Sequence, residues 1–151
     1  MRAELHEPLP AEIEGLWKDF FNGEQNAKFF PGLVGLALEE VRRDYGRMRL
    51  PYRPELNQPA GVVHGGAIAT LIDTVVVPAV ASPYPRVPIM LTVDMQIRYL
   101  GAARESDLVA EGWITKRGKS TVFCQAEVRD ASGEVVAEGW HVYRVIIPKE
   151  G

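Results

Sequence analysis

The residues whose types could do chemistry lie close together, in Asn57-Gln-Pro-Ala-Gly-Val-Val-His64-Gly65-Gly66-Ala-Ile-Ala-Thr-Leu-Ile-Asp73. Gly65 and Gly66 stand where a loop enters an apolar helix. A helix start exposes unpaired N–H groups and carries partial positive charge, and glycine lets a ligand approach that backbone closely. Such an end suits a carbonyl oxygen that turns negative under attack, where one donor is worth ~10²–10³ in rate. Two glycines also make an ordinary cap. Asp73 is the only ionisable residue from Gly65 to Ala81. A carboxylate in apolar surroundings needs a partner or a task, and one held out of water makes a good general base. The other readings of Asp73 are a structural hydrogen bond, or a place on a polar strip with Thr70 and Thr74. His64 reads either as a site residue or as a histidine that caps the helix. Asp73 lies eight residues past Gly65, about 12 Å along one helix, so one carbonyl cannot touch both within a chain. A two-fold axis setting two such helices antiparallel would bring Gly65 of one copy to Asp73 of the other. The expectation is a composite site at a dimer interface.

The elements that must position these residues follow from periodicity. Residues 11–22 predict an amphipathic helix carrying Ile13, Leu16, Trp17, Phe20 and Phe21 on one side, ended by Gly23. Phe29 to Gly32 reads as a turn, and 33–43 with 46–53 as a hairpin around Asp44-Tyr45-Gly46. Gly65 to Ala81 is apolar on all sides, which places it inside the protein, with Pro78 expected to kink or loosen its last turns. Val87 to Tyr99 alternates with a period of two, Val87, Ile89, Leu91, Val93, Met95, Ile97 and Tyr99 against Thr92, Asp94, Gln96 and Arg98. Strands over 108–115, 121–129 and 135–147 follow, and an antiparallel meander of four strands is expected. One long helix against one curved antiparallel sheet is an α+β architecture. The chain reads as one domain, 1–151, with an N-terminal helical extension over about 1–32.

Bulk properties exclude several classes. The chain has 151 residues, a net charge of −3 and 46% apolar residues, an ordinary globular balance that gives nucleic-acid binding no support. The single cysteine, Cys124, rules out a disulfide within the chain and lies on the apolar face of a strand, where a core residue is expected. No apolar run is long enough for a membrane span, and a cytoplasmic location is expected. His6, His64 and His141 lack metal-ligand spacing, and no G-x-S-x-G or phosphate-loop fingerprint occurs.

His64-Gly65-Gly66, followed by an apolar helix with Asp73 nine residues after the histidine, resembles the phenylacetyl-CoA thioesterase-like (PaaI-like) branch of the hotdog-fold thioesterase superfamily. Asn57 and Thr92-Val-Asp-Met95 fit as well. The likeness covers residues 33–147 in element order and is residue-specific over 57–73 and around Thr92. It implies a hotdog fold, a sheet wrapped around one buried helix, and hydrolysis of acyl-CoA thioesters with aryl or medium-chain acyl groups. It further implies that the Gly65 N–H polarises the thioester carbonyl and that Asp73 of the partner chain is base or nucleophile. Asn57 would hold substrate or water, His64 would shape the site, Gly66 would contact substrate and Thr92 would orient water. A homodimer or dimer of dimers is implied, with no cofactor, because coenzyme A is part of the substrate. Arg86, Arg104, Lys116, Arg117 and Lys119 are the candidate cations for its phosphates. The interval from Asn57 to His64 is one residue longer than the family's, with Pro59 inside it, which bears on Asn57. Two other readings are a hotdog that binds acyl-CoA without turnover and a hotdog hydratase or dehydratase. Asp73 argues against the first, and the arrangement around His64 against the second.

Overall fold

Alternating apolar and polar residues become six strands, and the apolar run between them becomes one long helix. The computed structural model describes residues 2–149; the domain boundary read as 1–151 takes in Met1, Glu150 and Gly151, which lie outside the described residues. Helices α1 (Ala11–Asn22) and α2 (Phe30–Val34) precede strands β1 (Ala37–Arg42) and β2 (Tyr45–Leu50). Helix α3 (Gly65–Ala81) follows, then β3 (Ile89–Tyr99), β4 (Leu108–Arg117), β5 (Thr121–Arg129) and β6 (Val135–Ile146). The strands form one antiparallel sheet in the order β1-β2-β4-β5-β6-β3. With α3 packed on it, this is the hotdog layout.

The four-strand meander is corrected. β4, β5 and β6 follow one another, but β3 pairs with β6 at the far edge and β4 pairs with β2. The connection from β2 to β3 contains α3, so β3 is carried across the sheet and the place beside β2 falls to β4. The turn expected at Phe29–Gly32 is also corrected. Pro31 sits in the first turn of α2, where its missing N–H costs nothing, and Gly35 closes that helix at φ 97°.

A row of small residues seats α3. Gly46 of β2 stands opposite Gly112 of β4, Gly112 opposite Ala126 of β5, and Ala126 opposite Gly139 of β6. A methyl group on Gly139 would lie 2.5 Å from Cγ2 of Ile72, on Gly112 2.8 Å from Cγ1 of Val76, and on Gly46 2.6 Å from the Val75 carbonyl oxygen. The row forms a shallow trough into which a helix rich in valine and isoleucine sinks. Burial of Ile72, Val75, Val76 and Val80 then overrides the reduced helix propensity of these β-branched residues, at roughly 1.5–3 kcal/mol per side chain. The same packing carries the helix through Pro78, which is buried, to Ala81. Its last carbonyls are satisfied by Arg117, whose Nη1 donates to Val80 O (3.0 Å) and Nη2 to Ala79 O (3.2 Å), while Nη2 also meets Asp44 Oδ1 at 2.6 Å. Arg117 is thereby committed to closing the helix.

The periodic strand β3 holds a bulge that its sequence conceals. Thr92 faces Tyr143 across the ladder and Asp94 faces Val142, so Val93 is the extra residue. The phase of the strand flips there. Met90 and Thr92 turn toward α3 before the bulge and Met95 after it, while Ile89, Leu91 and Val93 are exposed.

Candidate active site

The bulge puts a hydroxyl beside the one acidic residue of α3. Thr92 Oγ1 donates to Asp73 Oδ1 at 2.9 Å, and Tyr143 of β6 donates its phenol proton to the same oxygen at 2.7 Å. Tyr143 Oη also lies 2.8 Å from the Asp73 carbonyl oxygen. Burial, reinforced by the adjacent Asp73 carboxylate, holds the Tyr143 phenol well above its usual range, so it is a donor. Both described donors converge on Oδ1, which fixes the carboxylate and leaves Oδ2 for a ligand or water. Asp73 is half-buried. It faces a cavity of about 500 Å³ whose other walls include Thr70, Thr74, Val77, Met90 and Met95, roofed by Phe20, Phe21, Phe29 and Phe30 of the N-terminal extension. Trp17 and Phe21 are the core anchors of α1; Ile13, Leu16 and Phe20, read on the same side of the helix, are exposed.

A second group gathers at the start of α3. His64 is the N-cap: its Nδ1 accepts from Gly66 N–H at 2.8 Å. That is the capping role weighed for it, and it engages the Gly66 N–H that was expected to meet substrate. Gly65 N–H makes no hydrogen bond to any described residue. It is a backbone donor left open at the start of α3. The Gly65 carbonyl accepts from Tyr99 Oη at 2.9 Å, and the Tyr99 ring would lie 3.3 Å from a methyl group at Gly65. Asn57 is held beside this start by its bridge to Val63 and by the His64 N–H to Leu56 O bond of 2.8 Å. Its Nδ2 donates to Tyr52 Oη at 3.0 Å, while its Oδ1 is buried without a described partner. A cavity of about 390 Å³ opens here, lined by Gln58, Val62, Gly65, Ile68, Tyr99 and Ala103 among others.

The fold thus joins Asp73 with Thr92, and Asn57 with His64, Gly65 and Gly66. Within one chain it leaves the two groups at separate cavities. Tyr143, Tyr99 and Tyr52 were missed in the sequence. A buried tyrosine needs a partner for its hydroxyl, and Tyr143 on the last strand had Asp73 as the one acid on the helix it faces.

The model of the thioesterase superfamily matches residues 60–137, a span that holds both the α3 start and Asp73 with Thr92. The chain belongs to the thioesterase superfamily. A Halobacterium salinarum protein named "Putative esterase" is 34% identical over 124 residues, covering 74% of this chain and 81% of that one. Human acyl-coenzyme A thioesterase 13 is 32% identical over 83 residues, 54% of this chain and 59% of the human one. The structure of the E. coli PaaI protein from the phenylacetic acid degradation operon superposes with a TM-score of 0.73 at 17% identity, covering 84% of this chain and 88% of that one, and shows the shared fold. The likeness read over Asn57–Asp73 is borne out at the level of this superfamily, and thioester hydrolysis is the class of reaction it supports.

Other groups in this thioesterase-superfamily chain have structural surroundings. Cys124 is buried, and burial pushes its thiol up to about 12, which suits a core residue and not a nucleophile. His141 is buried beneath the site, 6.3 Å from the Tyr143 ring, and burial holds it below its usual range although the Asp73 carboxylate pulls the other way. Among the described residues no set of His, Cys, Asp or Glu gathers as metal ligands, and no helix is long and apolar enough to cross a membrane.

Proposed function

We propose that the chain hydrolyses acyl-CoA thioesters with aryl or medium-chain acyl groups, at sites shared between two copies. The observation that carries this reading is the Asp73 carboxylate, anchored through one oxygen by Thr92 and Tyr143 and facing an apolar cavity of acyl size. The acyl group lies in that cavity. The thioester carbonyl oxygen rests on the Gly65 N–H of the other copy, and Asp73 Oδ2 takes a proton from water as the water oxygen bonds to the acyl carbon. The C–S bond then breaks and the departing thiolate takes up a proton. Alternatively, Asp73 Oδ2 bonds to the acyl carbon, the C–S bond breaks with loss of the thiolate, which takes up a proton, and water then opens the resulting anhydride to free acid and the Asp73 carboxylate. A single turnover in heavy-oxygen water separates these routes, because only the second leaves label in the enzyme carboxylate.

Two observations support a shared site. Gly65 and Asp73 are about 12 Å apart along α3. Strand β3, which supplies Thr92 to one cavity and Tyr99 to the other, forms a sheet edge that no described segment covers. Two copies paired along β3 bring the two cavities to one seam. Free-thiol release over a panel of acyl-CoA thioesters, with Asp73→Asn alongside, tests the reading. Asp73→Asn is expected to lower kcat by ~10²–10⁴ with melting nearly unchanged. Full activity in that variant, or no release from any thioester by the unmodified protein, refutes it.

A further inference from the structure

The cavity at Asp73 has an apolar neighbour. A groove of about 540 Å³ runs between α1 and the segment after α3, lined by Leu9, Ile13, Leu16, Trp17, Tyr84 and Val87 together with prolines of the same segments. Among the described residues, Phe20 alone lines both spaces. Its ring stands edge-on to Phe21 at 5.2 Å and to Trp17 at 6.4 Å. Those two neighbours are buried anchors of α1, so one side of the half-exposed Phe20 ring rests on the core. Apart from Ser82, the Tyr84 hydroxyl and the Trp17 indole N–H, the lining is apolar and carries no charged side chain. It suits a hydrocarbon chain and offers no charge to a carboxylate or a phosphate.

From this arrangement we infer that Phe20 is the specificity-determining residue for acyl length, a partition that closes the Asp73 cavity against the α1 groove. The inference rests on the thioesterase reading above and names which acyl groups that site accepts. With Phe20 in place, an acyl chain that fills the Asp73 cavity meets an aromatic wall, and longer chains lose fit. With the ring removed, the two spaces become one channel, and the tail of a long-chain acyl group runs on into the groove beside Leu16 and Val87. Each methylene that a hydrophobic site admits or refuses is worth about tenfold or more in discrimination, so the partition should act sharply with length. Phe20 has no part in the chemical step.

The test is the profile of kcat/KM against acyl length, from acetyl- to palmitoyl-CoA, for the unmodified protein, Phe20→Ala and Phe20→Leu. The unmodified protein is expected to lose activity abruptly beyond a medium length. Phe20→Ala is expected to improve the ratio of long to medium chains at least ~10-fold, with Phe20→Leu in between. Adding Ile13→Trp to Phe20→Ala refills the groove without touching the Asp73 cavity and should return the profile toward its original limit. Circular dichroism of each variant separates a changed profile from a lost fold, and Phe20→Leu, the milder change, carries the test if Phe20→Ala does not fold. Parallel profiles in all folded variants overturn the partition and leave the hydrolase reading intact. Absence of hydrolysis in the unmodified protein overturns both.

Discussion

The two edges of the sheet are built to opposite ends. At the β1 edge the chain closes itself off. The Asn22 side chain acts as a strand residue would, its Nδ2 donating to Leu38 O at 3.0 Å and its Oδ1 accepting from Leu38 N–H at 2.8 Å. Pro8 bridges to Arg42, and Arg43 N–H donates to Glu7 O at 2.9 Å. Charged Glu39, Glu40, Arg42, Arg47 and Arg49 form an ion-pair ladder over the same hairpin. At the β3 edge, eleven residues run without any such cover among the described residues. Leu91 is 53% and Val93 65% exposed. A long, apolar, uncovered edge invites another strand, and proteins that remain alone blunt it. One edge is covered by other segments of the chain; the other, bulged at Val93, is left uncovered among the described residues, and it belongs to the strand that borders both candidate half-sites.

The contrast can be broken at its open end. Val93→Lys places a charge on that edge without touching Asp73. The expected outcome is a shift from dimer to single chains by light scattering, with thiol release falling ~10²-fold or more as the Gly65 donor is lost. Full activity in a single-chain species would sever the link between edge and site. The closed end provides the opposite case. Asn22→Ala strips the cover from Leu38 and should cost about 1–3 kcal/mol in denaturant unfolding, while activity per folded molecule stays put. A selective loss of activity there would mean that the two edges do not divide stability from function.

A smaller effect should appear with pH. His141 lies on β6, the strand that β3 pairs with, and burial holds its folded-state pKa below the ordinary value of 6.5. Below about pH 6.5 the unfolded chain binds a proton there that the folded chain refuses, so stability is complete above that pH and falls as pH drops through it. The slope is at most ~1.4 kcal/mol per pH unit for one group. Denaturant unfolding between pH 7 and 5 should therefore be less pH-sensitive in His141→Phe than in the unmodified protein. Equal slopes would show that water reaches the layer beneath Asp73.

What could be read in the sequence divides along physical lines. Helix α3 was legible to its end residues, because a solid apolar run begun by a glycine pair admits few other structures. α1 and β5 came out with their bounds for similar reasons of periodicity. Strand order was not legible, since a strand pattern does not say which neighbour the strand meets and only the α3 crossover decides where β3 and β4 lie. The alternation of β3 runs straight through the Val93 bulge, so the pattern gave no sign that Met90 and Thr92 turn inward before it and Met95 after it. The bulge thus hid why Thr92, on the polar face of the pattern, reaches Asp73. The second donor, Tyr143, looked like one more aromatic in an alternating strand, since its role depends on a hydrogen bond across 70 positions of chain.

The small-residue trough under α3 has a consequence for anyone who would redesign this protein. Ile72, which would meet the first atom added at Gly139, adjoins Asp73 in the chain. Enlarging that floor by a single carbon would lift or roll the rod above it and swing the carboxylate away from both hydroxyls that aim it. The orientation of the carboxylate is therefore set from beneath, by backbone positions under the helix and not by the cavity walls. Under the proposed function, the aromatic roof is the part to re-bore for new acyl groups while Gly46, Gly112 and Gly139 stay as they are.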